Sequence, residues 1–250
     1  MRCLAANRGG YDVPHQLVEQ LFRDTGVRTN PLRGISFTAN KFATETFIDE
    51  IALKRGIDPL KFRLDLLKNT PRAIKAVERV AEMANWSKKR DGRGLGVAYI
   101  DYSGSQVAGI AAVSVDRASG QIRVHDFWCT IDCGVAVQPD NVVAQTESSI
   151  VYGLGMSLSE RITVKNGAVE QSNFYDYIVP RNRDIPPMYV EVIQTDNRPT
   201  GVGQMATPAI TPAVSNAVMA LTGVRLRQAP FTEERVKKAL APAPSGARPI

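Results

Sequence analysis

Hydrophobic residues recur at helical spacing in the first third of the chain and predict three successive helices there. In residues 41–56, Phe42, Phe47 and Ile51 fall on one side of a helix that Gly56 is suited to end. Asp58-Pro59 and Thr70-Pro71 each place an N-cap residue before a proline, which is the usual order at a helix start. The second and third helices should therefore begin at these two dipeptides.

From Val97 onward the pattern changes to short runs rich in β-branched and aromatic residues, which predict strands. Ser119-Gly120 lies between two of the runs and suits a hairpin turn, as does Asn166-Gly167 further along. The predicted strands are VAYIDY, VAGIAAVSVD, QIRVHDFWCTID and MYVEVIQT. This order indicates a mostly antiparallel sheet.

Two more helices accompany the strands. PDNVVAQTESSIVYGLGMSL should be helical up to its glycines, and Thr211-Pro212 should start a last helix that Gly223 closes. Because helices and strands are segregated, the fold class is α+β, with N-terminal helices followed by a mostly antiparallel sheet and packed helices. Residues 1–240 form one unit in this interpretation, and 241–250, APAPSGARPI, form a disordered tail.

Composition and charge exclude several classes of protein. The 250 residues are 44% hydrophobic and 22% charged, which is ordinary for a globular chain large enough to bury a core. No apolar run approaches the roughly 18 residues of a membrane span, and the N-terminus has no hydrophobic signal core. We therefore expect a cytoplasmic location for the chain as given, or a periplasmic one if a full-length form carries a signal. The net charge is +6, but the basic residues are interspersed with acidic ones, which argues against nucleic acid as a partner.

Cysteines and histidines are too few for most metal or nucleophile chemistry. Cys129 and Cys133 lack the second pair of ligands that a zinc site needs, so buried free thiols are expected. His15 and His125 should each be a surface or hydrogen-bonded histidine, because no Ser-His or metal-ligand spacing surrounds them. Side chains alone predict no metal site, and any metal chemistry would come with a bound cofactor.

Several segments, in this order along the chain, resemble the molybdopterin-binding large subunit of the xanthine dehydrogenase and aldehyde oxidase type. Within that family they are most similar to the isoquinoline 1-oxidoreductase beta subunits. Together they extend over nearly all of residues 11–236. The segments are NPLRGISFTANKFATETFIDEIA, GRGLGVA, CTIDCGVAVQPDNVVAQTESSIVYGLGMSLSE, NGAVEQSNFYDYIVPR and PTGVGQMATPAITPAVSNAVMALTGVRLRQAPFT.

The resemblance implies a fold, a cofactor and partners. The chain would be the C-terminal portion of a molybdenum-cofactor-binding domain, because family members are about three times as long and carry a Gly-Gln-Gly motif upstream. The implied cofactor is molybdopterin cytosine dinucleotide with molybdenum, and iron-sulfur clusters would reside only on a small [2Fe-2S] partner subunit. The upstream part of the large subunit would complete the site. The substrates would be small N-heterocycles or aldehydes, hydroxylated with oxygen from water.

The same resemblance assigns site residues. Arg33 and Gly34 in PLRGIS match the family loop beside the molybdenum, and Gln145 in AQTESS matches a glutamine that hydrogen-bonds the cofactor. Glu147 would be a supporting residue, and Ser149 replaces a glycine that relatives commonly have. Cys133 would pack in the core rather than bind metal.

The segment GVGQMATP departs from the family at its most important position. Active relatives have Gly-Val-Gly-Glu, whose glutamate is the general base, whereas this chain has Gln204 after Gly203. An amide cannot accept a proton at neutral pH, so the sequence leaves four interpretations open. In the first, another residue such as Glu147 is the base, and in the second the chain binds ligands with little turnover. In the third it catalyses a variant reaction, and in the fourth Gln204 is an ordinary turn residue. The alternative function is a non-catalytic binding or assembly subunit derived from the family.

Overall fold

One four-stranded sheet with helices on both faces forms the body of the molecule. The computed structural model describes residues 10–19, 21, 26–27 and 30–241. The predicted disordered tail lies outside these residues, apart from Ala241. The helices are α1 (Ile35–Lys54), α2 (Pro59–Leu66), α3 (Pro71–Met83), α4 (Pro139–Leu158), α5 (Thr207–Thr222) and α6 (Glu233–Leu240). The strands are β1 (Gly94–Tyr102), β2 (Ser105–Val115), β3 (Ile122–Asp132), β4 (Val164–Lys165), β5 (Ala168–Val169) and β6 (Met188–Val192).

The sheet has the order β1-β2-β3-β6 and is mostly antiparallel, as predicted. The exception is β6, which pairs with β3 in parallel, because the crossover through α4 returns the chain in the same direction. A separate two-stranded hairpin, β4-β5, turns at Asn166-Gly167 as the sequence indicated. The α+β prediction is therefore confirmed.

Helix α3 packs on one face of the sheet, and α5 with α4 covers the other, while α1 lies at the β1 end and packs mainly against α5. Along β2, Ala108, Ile110 and Ala112 face the first layer, while Val107, Ala111 and Val113 face the second. This alternation is the two-residue period of a strand that is buried on both faces.

Helix starts follow the predicted capping residues in part. The Asp58 carboxylate accepts hydrogen bonds from the backbone N–H groups of Leu60 and Lys61, at 2.9 and 3.0 Å. Thr70 precedes Pro71 at the start of α3 without a side-chain capping bond. Gly56 and Gly223 both adopt positive φ just after their helices, at 67° and 74°, as a glycine at a helix C-terminus does.

Three helix boundaries and one additional helix differ from the sequence analysis. Helix α1 begins at Ile35, six residues before the predicted start at residue 41. Helix α4 continues through Gly153 and Gly155 to Leu158. An added Cβ on Gly153 would lie 2.8 Å from the Cβ of Ile210 in α5. The glycines thus allow α5 to pack closely and do not end the helix. Helix α5 begins at Thr207, five residues before the predicted first helical residue Pro212, which therefore lies in its interior. Helix α6, which the analysis did not predict, begins after a Thr232 cap.

Helix α5 lies directly against the backbone of β1. An added Cβ on Gly96 would be 2.1 Å from the Ala217 nitrogen and 2.2 Å from the Ala213 oxygen. Every α5 residue from Thr207 to Val218 is buried, so this part of the helix is enclosed on all sides. Only glycine at position 96 permits this close approach of α5 to β1.

A buried ionic cluster fixes α1 to its neighbours. The Arg63 guanidinium is fully buried and lies 3.0 Å from Glu45 Oε2 and 3.3 Å from Asp49 Oδ1. Glu45 Oε2 also accepts the backbone N–H of Tyr99 in β1, at 3.0 Å. Asp49 Oδ2 receives Arg225 Nη2 at 2.8 Å. The cluster thus joins α1 to α2, to the sheet and to the segment after α5.

No helix within the described ranges combines the length and the apolar character that crossing a bilayer requires.

Gly96→Ala should lower the free energy of unfolding by about 1–3 kcal/mol, because the new methyl group must push α5 away from β1. Chemical denaturation followed by circular dichroism measures the change. Gly203→Ala is the matched control, since an added Cβ there meets no atom within 4 Å. Equal stability of the Gly96→Ala protein and the wild type would contradict the packing described above.

Arg63→Met should cost about 3–5 kcal/mol of unfolding free energy, because it leaves the buried Glu45 carboxylate without its charged partner. Arg79→Met is the control, since Arg79 forms its ion pairs with Glu82 and Glu191 at the surface. Its denaturation midpoint should stay close to that of the wild type. Similar midpoints for the two variants would show that the buried pair does not stabilise the fold.

Candidate functional site

The Arg33 side chain joins three segments that are distant in sequence. Its Nε donates to the Gly203 carbonyl oxygen at 2.9 Å, and its Nη1 donates to Ser148 Oγ at 2.8 Å. Its Nη2 donates to Gln145 Oε1 at 2.9 Å. The loop before α1, the exposed side of α4 and the loop before α5 therefore meet at one guanidinium group.

Gln204 is bonded at both ends of its side-chain amide. The backbone N–H of Gly34 donates to Oε1 at 3.0 Å, and Nε2 donates to the Tyr102 hydroxyl oxygen at 2.7 Å. Gly34 has φ 91° directly before α1, and an added Cβ would lie 2.3 Å from Thr38 Oγ1. The position therefore requires glycine for both its conformation and its space.

The structure thus brings together Arg33, Gly34, Gln145, Gly203 and Gln204, all of which the sequence analysis singled out. The contacts among these residues are observed, whereas their roles toward a cofactor are proposed. Sequence reasoning missed Tyr102 and Ser148. Tyr102 ends β1 without any motif around it, and Ser148 was part of AQTESS but has only the i, i+3 spacing from Gln145 as a signal.

Glu147 does not share the side of α4 that faces Arg33. That side carries Gln145, Ser148 and Tyr152, whose ring centroid is 5.7 Å from the guanidinium carbon of Arg33. At 3.6 residues per turn, Glu147 is rotated from this stripe by about a third of a turn. Helix geometry therefore gives Glu147 no direct place beside Gln204.

The site is positively charged. Arg33 forms no ion pair with a carboxylate in the described part of the chain, and its hydrogen-bond acceptors are all neutral. Partial burial lowers the pKa of Arg33, since a half-buried cation is less well hydrated. The N-terminus of α1 adds the positive end of a helix dipole. An anionic ligand is favoured here.

Three hydroxyl groups at or near these residues suit such a ligand. Thr38 Oγ1, Thr207 Oγ1 and Ser149 Oγ are buried and have no hydrogen-bond partner within the ranges that the structure describes. Thr207 begins α5, and its Cγ2 would lie 3.4 Å from a Cβ on Gly34. Buried hydroxyls are normally bonded, so these three suit the oxygen atoms of a bound group. The residues present therefore fit an anionic, oxygen-rich cofactor.

The described side chains do not themselves form a metal-binding cluster. Across the described residues, no group of three or more His, Cys, Asp or Glu side chains could hold an ion.

The two described cysteines and the histidines have ordinary roles. Cys129 and Cys133 are buried free thiols, as predicted, and burial raises the pKa of Cys129 to about 12. Burial also raises the pKa of Cys133, so neither is a ready nucleophile. His125 is hydrogen-bonded to Ser114 Oγ at 2.7 Å, and His15 is exposed.

Known proteins with similar sequences match nearly the whole chain. Residues 72–186 match the model of the molybdopterin cofactor-binding domain, a range that includes Gln145 but neither Arg33 nor Gln204. The beta subunit of isoquinoline 1-oxidoreductase from Brevundimonas diminuta is 38% identical over 88% of this chain. The chain belongs to the xanthine dehydrogenase and aldehyde oxidase family of molybdopterin-binding large subunits.

Members of the xanthine dehydrogenase and aldehyde oxidase family are much longer than this chain. The match covers 29% of the Brevundimonas protein. A nicotinate dehydrogenase subunit of Pseudomonas putida is 31% identical over 94% of this chain and 22% of its own length. The chain thus spans less than a third of these relatives.

A solved structure has the same fold. Quinoline 2-oxidoreductase from Pseudomonas putida 86 aligns with a TM-score of 0.75 over 83% of this chain and 52% of its own, at 16% identity. That likeness supports the family fold and, at this identity, nothing finer.

Arg33→Lys should loosen the site while keeping the charge, because an ammonium group cannot reproduce the guanidinium fork. Losing about 1 kcal/mol of local stability corresponds to roughly fivefold faster hydrogen exchange of the Gly34 N–H, which reports the bond to Gln204. Hydrogen-exchange NMR measures this rate. Arg93→Lys, at a surface ion pair with Asp126, is the control. Unchanged Gly34 exchange in Arg33→Lys would contradict the proposed linking role.

Proposed function

We propose that this chain forms one wall of the active site of a molybdenum hydroxylase that oxidises N-heterocycles or aldehydes with water as oxygen donor. The single observation that carries the proposal is the convergence of Arg33, Gln145 and Gln204. Arg33 donates to Gln145 and to the Gly203 carbonyl, and the Gly34 backbone N–H donates to Gln204. The positive charge and the unpartnered hydroxyls beside them support binding of an anionic cofactor. The similar proteins that are named as isoquinoline and nicotinate oxidoreductases support the substrate class.

The cofactor we propose is molybdopterin cytosine dinucleotide, which when bound supplies the molybdenum redox chemistry of the hydroxylation. Arg33 and the N-terminus of α1 contribute positive charge toward it. Gln145 Oε1 and the Gly203 carbonyl are both occupied by the Arg33 guanidinium, so these two residues orient the arginine. The Gln145 amide nitrogen remains as a hydrogen-bond donor toward the ligand.

Gln204 limits what the site can do. Its amide oxygen accepts from Gly34 and its nitrogen donates to Tyr102, so it can position neighbours, but it cannot take up a proton. A positioned general base contributes about 10²–10⁴-fold in rate, or about 3–5 kcal/mol. We therefore expect slow turnover in the natural chain.

A second function is favoured by the amide at position 204. No carboxylate is bonded to Arg33, Gly34 or Gln204 in the described structure, which suits a non-catalytic binding or assembly subunit. In that case the site would retain its ligand without oxidising a substrate.

Both functions require other polypeptide. Gln145, Ser148 and Gly203 are exposed, so one side of the site is open. Near the β4-β5 hairpin, Phe174 and Tyr175 are 65% and 75% exposed. Large exposed aromatic groups often mark contact surfaces. We propose the upstream part of a large subunit and a small [2Fe-2S] subunit, which carries the iron-sulfur clusters, as the partners.

Gln204→Glu in the assembled enzyme tests the proposal. If the site is a hydroxylase lacking its base, the carboxylate should raise the rate of quinoline or aldehyde oxidation by roughly 10²–10⁴-fold. Steady-state kinetics with an artificial electron acceptor and molybdenum analysis by mass spectrometry are the two measurements. Gln194→Glu, at an exposed position, is the matched control.

The outcomes separate the two functions. Molybdenum bound, with a rate gain in Gln204→Glu alone, supports the hydroxylase. Molybdenum bound without any gain favours the binding or assembly subunit. An assembled protein without molybdenum contradicts both.

A further inference from the structure

The orientation of the Gln204 amide is determined by its neighbours. A backbone N–H can only donate, so the atom 3.0 Å from the Gly34 nitrogen must be the amide oxygen. The other end is then the NH₂ group, which can only donate as well. It lies 2.7 Å from the Tyr102 hydroxyl. The Tyr102 oxygen is therefore the acceptor in this bond, and its own proton points elsewhere.

The Tyr102 ring is held so that this proton has few directions to take. It stacks on Phe37 with ring centroids 3.8 Å apart and planes 8° from parallel. The residue is only 7% exposed. A phenolic proton stays near the plane of its ring, and within the described residues no acceptor is bonded to it. A buried donor in a polar site is normally satisfied, and none of the described residues satisfies this one.

Charge indicates what kind of acceptor that is. Gln204 follows Gly203, whose carbonyl oxygen receives the Arg33 guanidinium, and no carboxylate in the described structure neutralises this cation. Gly34, which bonds the other end of Gln204, lies at the positive end of α1. An anionic oxygen is stabilised by both groups and accepts a phenolic proton well.

We propose that Tyr102 is a ligand-binding residue, which accepts a hydrogen bond from Gln204 and donates its hydroxyl proton to an anionic oxygen of the ligand. This inference rests on the proposed function, because it assumes that an oxyanion group occupies the site. It adds a residue that no sequence motif marks, and it assigns Gln204 the role of turning the Tyr102 proton toward the ligand.

The residue at position 204 then selects the direction of the Tyr102 proton. The carboxylate introduced by Gln204→Glu has only acceptor oxygens, so one can accept from Gly34 and the other from Tyr102. The phenolic proton would turn inward and no longer reach the ligand. An amide and a carboxylate at this position therefore give two different binding sites on one backbone.

Two measurements on the purified 250-residue chain test the proposal. The first is NMR of the Gln204 side-chain NH₂ group without ligand, in the wild type, in Tyr102→Phe and in Tyr99→Phe. The second is calorimetric titration with molybdate of the same proteins and of Gln204→Glu. Tyr99→Phe is the matched control, since Tyr99 lies in the same strand on the opposite face of the sheet and hydrogen-bonds Gln106.

Tyr102→Phe should shift the Gln204 NH₂ resonances and weaken molybdate binding by roughly 10- to 100-fold, the range for a hydrogen bond to a charged group. Gln204→Glu should weaken binding at least as much, because it also adds a negative charge. Tyr99→Phe should change neither quantity. Well-dispersed spectra of Tyr102→Phe would show that the variant is folded, since its ring can still stack on Phe37.

Other results overturn the proposal. Unchanged Gln204 NH₂ resonances in Tyr102→Phe would refute the hydrogen bond, whatever the titration gives. Wild-type affinity for molybdate in Tyr102→Phe would refute the donation to ligand and leave the proposed function intact. Absence of molybdate binding to the wild type would also refute the donation, whereas the proposed function is judged separately by the molybdenum content of the assembled enzyme.

Discussion

The close approach of α5 to β1 is the constraint on which the rest of the structure depends. A helix enclosed on all sides needs partners that allow near contact, and Gly96 supplies this in the sheet as Gly153 does in α4. Because α5 begins three residues after Gln204, the position of that residue is set by the packing of α5 against β1. The site thus derives its geometry from backbone packing, and its side chains add only the final connections.

The second support comes from α1. The Glu45 and Asp49 carboxylates form ion pairs with Arg63 and Arg225. These pairs fix the middle of α1 and thereby the position of its start at Gly34. Arg225 also bonds Asn216 of α5, so the two helices are anchored to each other where they present Gly34 and Gln204. Buried ion pairs contribute little net stability, but breaking one is costly, which suits a role in fixing one arrangement. Arg33 then closes the contact with α4.

Much of the fold could be predicted from local chemistry. The Asp58 cap, the hairpin at Asn166-Gly167 and the strands of the sheet follow from short-range preferences, and the structure agrees. The start of α5 could not be predicted, because Pro212 is normally a helix breaker and only tertiary burial keeps the helix continuous there. The glycines of α4 misled the analysis for a similar reason, since their function is to admit another helix.

The site was predictable only where a family motif marks it. Gln204 stood out because its neighbours match a pattern that normally contains glutamate. Tyr102 carries no such signal, because its importance depends on a hydrogen bond across 102 positions in sequence. Periodicity and capping rules describe residues that are close in sequence. They cannot predict a contact between residues this far apart.

Strand β6 pairs only with β3 within the described residues, so its other edge ends the sheet. Unpaired backbone groups along such an edge readily join a strand from another molecule. When the chain is produced alone, self-association through Met188–Val192 would lower the yield of monodisperse protein, and co-production with a partner that shields this edge would raise it.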